Sequence, residues 1–344
     1  MINVLIIHII SICSFILINK YFFYKKKLLL NDTGEGHQKF STNKITPLTG
    51  GLFIFLNLSI YKCLYTFNHQ LFFFLFTILI LGIFSDLKLI KSAKLKLFYQ
   101  FLISIIFIKI YELKILDTRV DLIDFLINQR EILNYFFVCF CFLILINGSN
   151  FIDGLNTLNL GYFLLISICL LFLSYNEVIE YHNIYLYITI VLIISYLLNS
   201  INIFFLGDSG SYLLGFLFAF ILIDLNNSNQ NISPFFIILL LWYPCFETLF
   251  SMLRKKILNR SSMKPDSNHL HQLIFFNLKK KFKNQKKISN FLSANIINVY
   301  NLLIILISVK FISQTQIQII LIMINLIVYT LTYFKLFLIR YKKI

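Results

Sequence analysis

Three aspartates sit where an aspartate is expensive. Asp86 ("GIFSD"), Asp153 ("NFIDG") and Asp208 ("FFLGDSG") each border a long apolar run, and an acid there costs free energy unless a cation, a metal or water accompanies it. Taken singly, each reads as an interfacial cap or turn residue. Taken with Asn147, Asn150, Asn156 and Asn202, and with Lys88, Lys91, Lys94 and Lys96 around them, they read as a site of oxygen ligands. Magnesium suits such a set, because it takes one or two protein groups and completes its shell with water and phosphate oxygens. Manganese is the substitute cation.

The stretch Gly207-Asp208-Ser209-Gly210 admits three readings: a nucleophile, a metal site or a tight turn. A similar tetrapeptide surrounds the nucleophile of chymotrypsin-like proteases, but those need a β-barrel with His and Asp partners. Here an apolar helix follows directly. A turn in front of a helix exposes free backbone amides and the positive end of the helix dipole to an anion. Asp208 at that spot repels a phosphate unless a metal bridges the two, so carboxylate, metal and phosphate form a consistent set.

His269 and His271 lie two residues apart in the longest polar loop. That spacing gives them different faces of a helix or strand, with one reaching inward. Glu247 ("YPCFETLFSMLRKK") lies inside an apolar run in which Pro244 is expected to kink the helix. Arg254 is about two turns further on, too far for direct contact with Glu247. An interhelical hydrogen bond and a functional acid both remain open for Glu247.

The elements that must position these groups are helices in a bilayer. The chain is 58% hydrophobic and only 13% charged, against the roughly 25% charged of soluble domains. Eleven apolar stretches approach the length that crosses a hydrocarbon core: 2–22, 48–68, 70–86, 95–112, 132–149, 158–175, 183–201, 210–225, 234–252, 291–311 and 316–338. The expected fold is therefore an all-α integral membrane protein of about eleven transmembrane helices, a single polytopic domain over 1–344, with a long basic loop at 254–290. The first stretch lacks a basic leader and a small-residue cleavage site, so it reads as a retained helix. All six cysteines fall inside apolar stretches without metal-site spacing and read as small buried residues.

Most of the 31 basic residues fall in alternate loops (23–47, 85–96, 254–290) and at the tail. Lysine and arginine accumulate in cytoplasmic loops, so the N-terminus is expected outside and the C-terminus in the cytoplasm of a bacterial inner (plasma) membrane. This orientation puts all the polar stretches above on the cytoplasmic face. The +16 net charge then serves topology, membrane-lipid attraction and the gathering of anionic substrates. With no soluble domain or base-stacking platform beside it, the charge does not indicate nucleic acid.

Six segments in order resemble the polyprenyl-phosphate N-acetylhexosamine-1-phosphate transferases, which initiate enterobacterial common antigen, O-antigen and teichoic acid synthesis and are related to the phospho-MurNAc-pentapeptide transferase. They are "TPLTGGLFIF", "GIFSDLKLIKSAKLKLFYQ", "NGSNFIDGLNTLNLG", "GDSGSYLLGF", "YPCFETLFSMLRKK" and "KPDSNHLHQLI". The His-Leu-His form favours the antigen-initiating branch. Four positions depart from the family pattern: Ser85 and Asn156 replace aspartates, Glu247 replaces an aspartate, and Ser267 replaces an arginine of the histidine loop.

The resemblance implies that Asn150 and Asp208 touch magnesium and that Asp86 lies near the attacking lipid phosphate, with Asp153 an additional acid. The expected substrate-binding group is Asn147, Asn156, Lys94, His269 and His271, of which the resemblance implies Asn156 near the uracil and the histidines near the sugar phosphate. The reaction it implies moves N-acetylhexosamine-1-phosphate from UDP-N-acetylhexosamine to undecaprenyl phosphate and releases UMP, as in lipopolysaccharide or cell-wall initiation. A degenerate lipid-phosphate-binding member and a membrane transporter are the competing readings; a transporter needs acids or broken helices near mid-bilayer on several spans, and only Glu247 comes close. The sequence leaves open whether two copies form a homodimer.

Overall fold

The computed structural model describes residues 11–24, 29, 46–180, 183–259, 266–282 and 285–341. The start of the first apolar stretch, the basic residues of 25–44, and part of the 254–290 loop including Pro265 fall outside them. Among the described residues the chain is helical throughout. A helical stretch at 11–18 runs into a π-helical segment, Asn19–Tyr24. There follow α1 (Gly50–Leu64), α2 (His69–Asp86), α3 (Ala93–Tyr111), α4 (Asp121–Asn128), α5 (Glu131–Ile152), α6 (Leu158–Tyr175), α7 (Asn183–Ser200), α8 (Gly207–Ser228), α9 (Pro234–Ile257), α10 (Leu270–Lys281), α11 (Lys286–Lys310) and α12 (Thr315–Tyr341).

Eight of these are long and apolar enough to cross a membrane, which makes the chain an all-α integral membrane protein. The remaining predicted stretches correspond to the 11–24 segment, to the shorter α1 and to α3, whose ends carry Lys94, Lys96 and Lys109. The short α4 and α10 were not among the predicted stretches. Asn68, Ser92 and Ser233 accept backbone hydrogen bonds at the starts of α2, α3 and α9, which satisfies donors that a helix start otherwise leaves open.

The organising helix is α8: 89% of its apolar window is buried, against 28% for α12. It begins at Gly207 rather than at 210, because its first turn is packed instead of looped. A Cβ on Gly82 of α2 would lie 2.3 Å from the Ser209 Cα, and one on Gly51 of α1 would lie 2.5 Å from the Gly210 nitrogen. Small residues permit helix backbones to approach this closely in lipid, where packing replaces the hydrophobic drive. Further along, Phe216 of α8 meets Phe107 of α3 and Phe142 of α5 at ring-centroid distances of 5.1 and 4.9 Å.

The segment ahead of α1 is pinned to the segment ahead of α8. The Phe205 amide donates to the Pro47 carbonyl (2.9 Å) and the Gly50 amide to the Phe205 carbonyl (3.0 Å). Asn19 bridges both segments, accepting from Thr49 Oγ1 (2.7 Å) and donating to the Ile203 carbonyl (2.8 Å).

Helix α9 continues through Pro244. Proline leaves the carbonyl four residues back without its partner, and the Tyr162 hydroxyl of α6 donates to that carbonyl, Leu240 O, at 2.8 Å. At the end of the bundle where α3 finishes, the Arg119 guanidinium donates to Gln230 O, Ser313 O and Thr315 Oγ1, tying three connections together.

Candidate active site

The opposite end of the bundle, where α2 and α5 finish and α8 begins, gathers the three aspartates. Asp86, the last residue of α2, turns its carboxylate onto the start of α8. Its Oδ1 accepts from the Asp208 amide (2.8 Å) and its Oδ2 from the Ser209 amide (3.1 Å). Gly207 has φ +74°, a conformation glycine adopts at little cost, and a Cβ there would lie 2.8 Å from Asp86 Oδ2. This corrects one expectation. The α8 amides are not open to a phosphate, because the anion at this helix start is the chain's own carboxylate, favourably placed against the helix dipole.

Asp208 is held on the outer side of the same turn. Its Oδ2 accepts from Lys96 Nζ (3.1 Å), from the Tyr212 hydroxyl (3.2 Å) and from the Ser85 hydroxyl. All three converge on Oδ2, and Oδ1 accepts none of them. Ser85, which stands where the family pattern has an aspartate, thus donates to the neighbouring acid. The lysine at this acid is Lys96, whereas the predicted Lys94 is exposed. Residues two apart on a helix point about 200° apart, so α3 can offer only one of them.

Asp153 caps the C-terminus of α5. Burial pushes its carboxyl well above the ordinary range, and the charges of Asp208 and Asp86 add to the rise, while the Gly207 amide and Ser211 hydroxyl oppose it. Asn150 is one turn earlier on α5 and half-buried. Three carboxyl groups crowd around one paired lysine, a shortage of positive charge that the rise at Asp153 reflects, and Asp208 Oδ1 takes none of the three bonds made by Oδ2. That donor set fits a hard divalent cation. Among the described residues no three His, Cys, Asp or Glu side chains close into a full cage, so water and phosphate oxygens would supply the rest of the shell.

The histidine loop adjoins this site. The sequence expected one histidine inward; both are buried, and their rings stack at 5.5 Å and 13°. The spacing argument fails because His269 is the extended residue ahead of α10 (φ −74°, ψ 150°), so the two do not lie on one regular element. A Cβ on Gly154 would lie 2.6 Å from His271 Nε2, which places His271 against the Asp153–Gly154 turn. His269 Nδ1 is 2.9 Å from Glu247 Oε1, and its Nε2 is 3.4 Å from Asp266 Oδ1. Burial alone would raise the Asp266 carboxyl, but His269, Arg254 and Lys255 outweigh it and hold it below the ordinary range.

The loop is also gripped by the last helix. Arg340 donates to Ser267 Oγ (2.9 Å), to Asn268 Oδ1 (3.2 Å) and to the Ser267 carbonyl, and it lies 4.0 Å over the Phe276 ring. The Tyr341 hydroxyl donates to Asn268 Oδ1 (2.7 Å). A guanidinium therefore sits beside Ser267, the position where the family pattern has an arginine.

The two remaining predicted residues are engaged in helix packing. Asn147 Nδ2 donates to Gln100 Oε1 (2.9 Å), joining α5 to α3. Asn156 Nδ2 donates to Asn202 Oδ1 (2.6 Å), and its amide donates to Asn290 Oδ1 (3.0 Å), joining the starts of α6 and α11 to the end of α7. Sequence reasoning counted Lys96 only among the surrounding lysines and singled out Lys94 instead. A signal for Lys96 exists: Lys96, Gln100 and Ser104 recur at four-residue spacing on α3, and Gln100 and Ser104 are buried, so this polar stripe faces inward.

The sequence pattern of glycosyl transferase family 4 matches residues 69–226, the stretch that contains Asp86, Asn150, Asp153 and Asp208. An undecaprenyl-phosphate alpha-N-acetylglucosaminyl 1-phosphate transferase of Thermotoga maritima is 26% identical over 263 residues, covering 76% of this chain and 79% of that protein. Six motif segments in order and three acids brought to one helix start agree with this match: over residues 69–226 the chain is similar to glycosyl transferase family 4.

Proposed function

We propose that this chain transfers N-acetylhexosamine-1-phosphate from a UDP-sugar to undecaprenyl phosphate, releasing UMP, as the first membrane step of a cell-envelope polysaccharide. The acid end of the bundle faces the cytoplasm in this reading, on the strength of the basic loops at that end. The observation that carries the proposal is the meeting of Asp86, Asp153 and Asp208 at the start of α8, with Lys96 paired to Asp208.

The acceptor is a phosphate monoester whose second pKa is about 6, so near pH 7 it is already mostly dianionic. A strong general base is dispensable, and serine at position 85 is tolerable for that reason. An acceptor oxygen attacks the phosphorus that bears the sugar; the new P–O bond forms as the pyrophosphate bridge breaks, and the bridge oxygen leaves with UMP. The difficulty is charge, since one anion must approach another. Magnesium held by Asp208 and Asn150 would neutralise charge and align the phosphates. Lys96 adds a fixed positive charge, while Asp86 fixes the α8 turn from which Asp208 projects.

The decisive assay combines purified protein, undecaprenyl phosphate, magnesium and a panel of UDP-sugars, scored for UMP. Release with at least one sugar, abolished by a chelator and restored by magnesium, is expected. No release with any sugar, while lipid phosphate still binds, would instead mark a degenerate binding protein. Lys96→Met is expected to lower the rate about 10- to 100-fold, as loss of one electrostatic contact to the reacting phosphates does. Lys94→Met should stay within about twofold of wild type, since it perturbs only an exposed residue. Equal losses in the two variants would contradict the assignment of Lys96.

A further inference from the structure

Glu247 is 1% exposed within α9, and burying a carboxylate is costly unless its oxygens are hydrogen-bonded. Both are engaged. Oε2 accepts from the Tyr329 hydroxyl of α12 at 2.8 Å, and Oε1 lies 2.9 Å from His269 Nδ1. A carboxylate that accepts on both sides leaves the Nδ1 position of His269 as the donor. The His269 ring also lies 5.4 Å from Phe151 and stacks on His271, whose Nε2 abuts the Asp153–Gly154 turn. Contacts therefore run unbroken from α12 through Glu247, His269 and His271 to the acid site.

We propose that Glu247 is a positioning residue for the transfer site, acting through His269 to set where His271 stands against the Asp153–Gly154 turn. The proposal rests on the transferase reading for its kinetic consequence only. The two histidines then have different tasks. His269 is the anchored ring, and His271 is the ring presented to the acid turn. Tyr329 makes the last helix part of the same support.

The test uses the full chain in lipid nanodiscs, with 15N-labelled histidine spectra and UMP release measured on the same samples. Glu247→Gln is expected to lower kcat at least about tenfold, on the scale of lost support behind a site residue, with KM for the UDP-sugar little changed. His269→Gln should produce a similar loss, and adding Glu247→Gln to it should cost nothing further, as for two residues acting in series. Glu247→Gln should also shift the ring signals of both His269 and His271. If Glu247→Gln fails to fold, Tyr329→Phe, which removes only one donor, gives the same pattern with a loss of about threefold, the scale of one outer contact.

Unchanged His271 signals, or losses that multiply in the double variant, would overturn the proposal. If the wild type releases no UMP with any sugar, the transferase reading falls, while the histidine spectra still decide whether Glu247 positions the rings.

Discussion

Asp208→Asn is expected to lower UMP release about 10³-fold, with the protein still folded. The Oδ2 oxygen accepts from Lys96, Tyr212 and Ser85 at once. A carboxylate suits three donors, since each of its oxygens is an acceptor only and the group carries the charge that pairs with lysine. An amide removes that charge, so the lysine loses its counter-ion in either orientation, and in one of the two an NH2 group also faces the three donors. A divalent cation loses an anionic ligand in the same step. At about 1.4 kcal/mol per factor of ten, the expected loss equals about 4 kcal/mol, within reach of a metal ligand and a fixed electrostatic contact together. Activity above one-tenth of wild type, measured with saturating magnesium, would remove Asp208 from the centre of the site.

The second large effect is expected from one methyl group. Gly82→Ala places a Cβ 2.3 Å from the Ser209 Cα and 2.6 Å from its nitrogen. These are backbone atoms of the most buried helix, so no flexible side chain can move aside. Overpacking of this kind costs typically 1–3 kcal/mol, and the upper part of that range applies where both sides are backbone. Gly82 and Asp86 are four residues apart and share a face of α2. Pushing α2 away from α8 therefore also draws the Asp86 carboxylate off the Asp208 and Ser209 amides. The expected result is a lower melting temperature in detergent, followed through the single tryptophan, Trp242, together with at least a tenfold loss of UMP release. A melting curve and a rate that both match wild type would show that the two helices have slack.

The span positions were legible because each apolar run is long and bounded by polar turns; 158–175 agrees with α6 to the residue. The start of α8 was less so, because Gly-Asp-Ser-Gly looks like a loop until the neighbouring glycines, Gly51 and Gly82, are known to press against it. Residue type announced that Asp86, Asp153 and Asp208 belonged together. Which of them would cap a helix was hidden, since a cap depends on where another helix begins in space. The choice between Lys94 and Lys96 also depended on which face of α3 turns inward, and the buried Gln100 and Ser104 carry that information once the four-residue stripe is read. The stacking of His269 on His271 had no sequence signal, because it follows from a helix that starts between them.

The grip of Arg340 and Tyr341 on Ser267 and Asn268 bears on how the protein should be handled at the bench. A purification tag fused directly behind Tyr341 would begin beside that grip. Anything that tugs on or sterically crowds the tail pulls on the loop that carries His269. An affinity tag inserted in the connection between α6 and α7, at the other end of the bundle, avoids that strain and is the sounder choice for activity measurements.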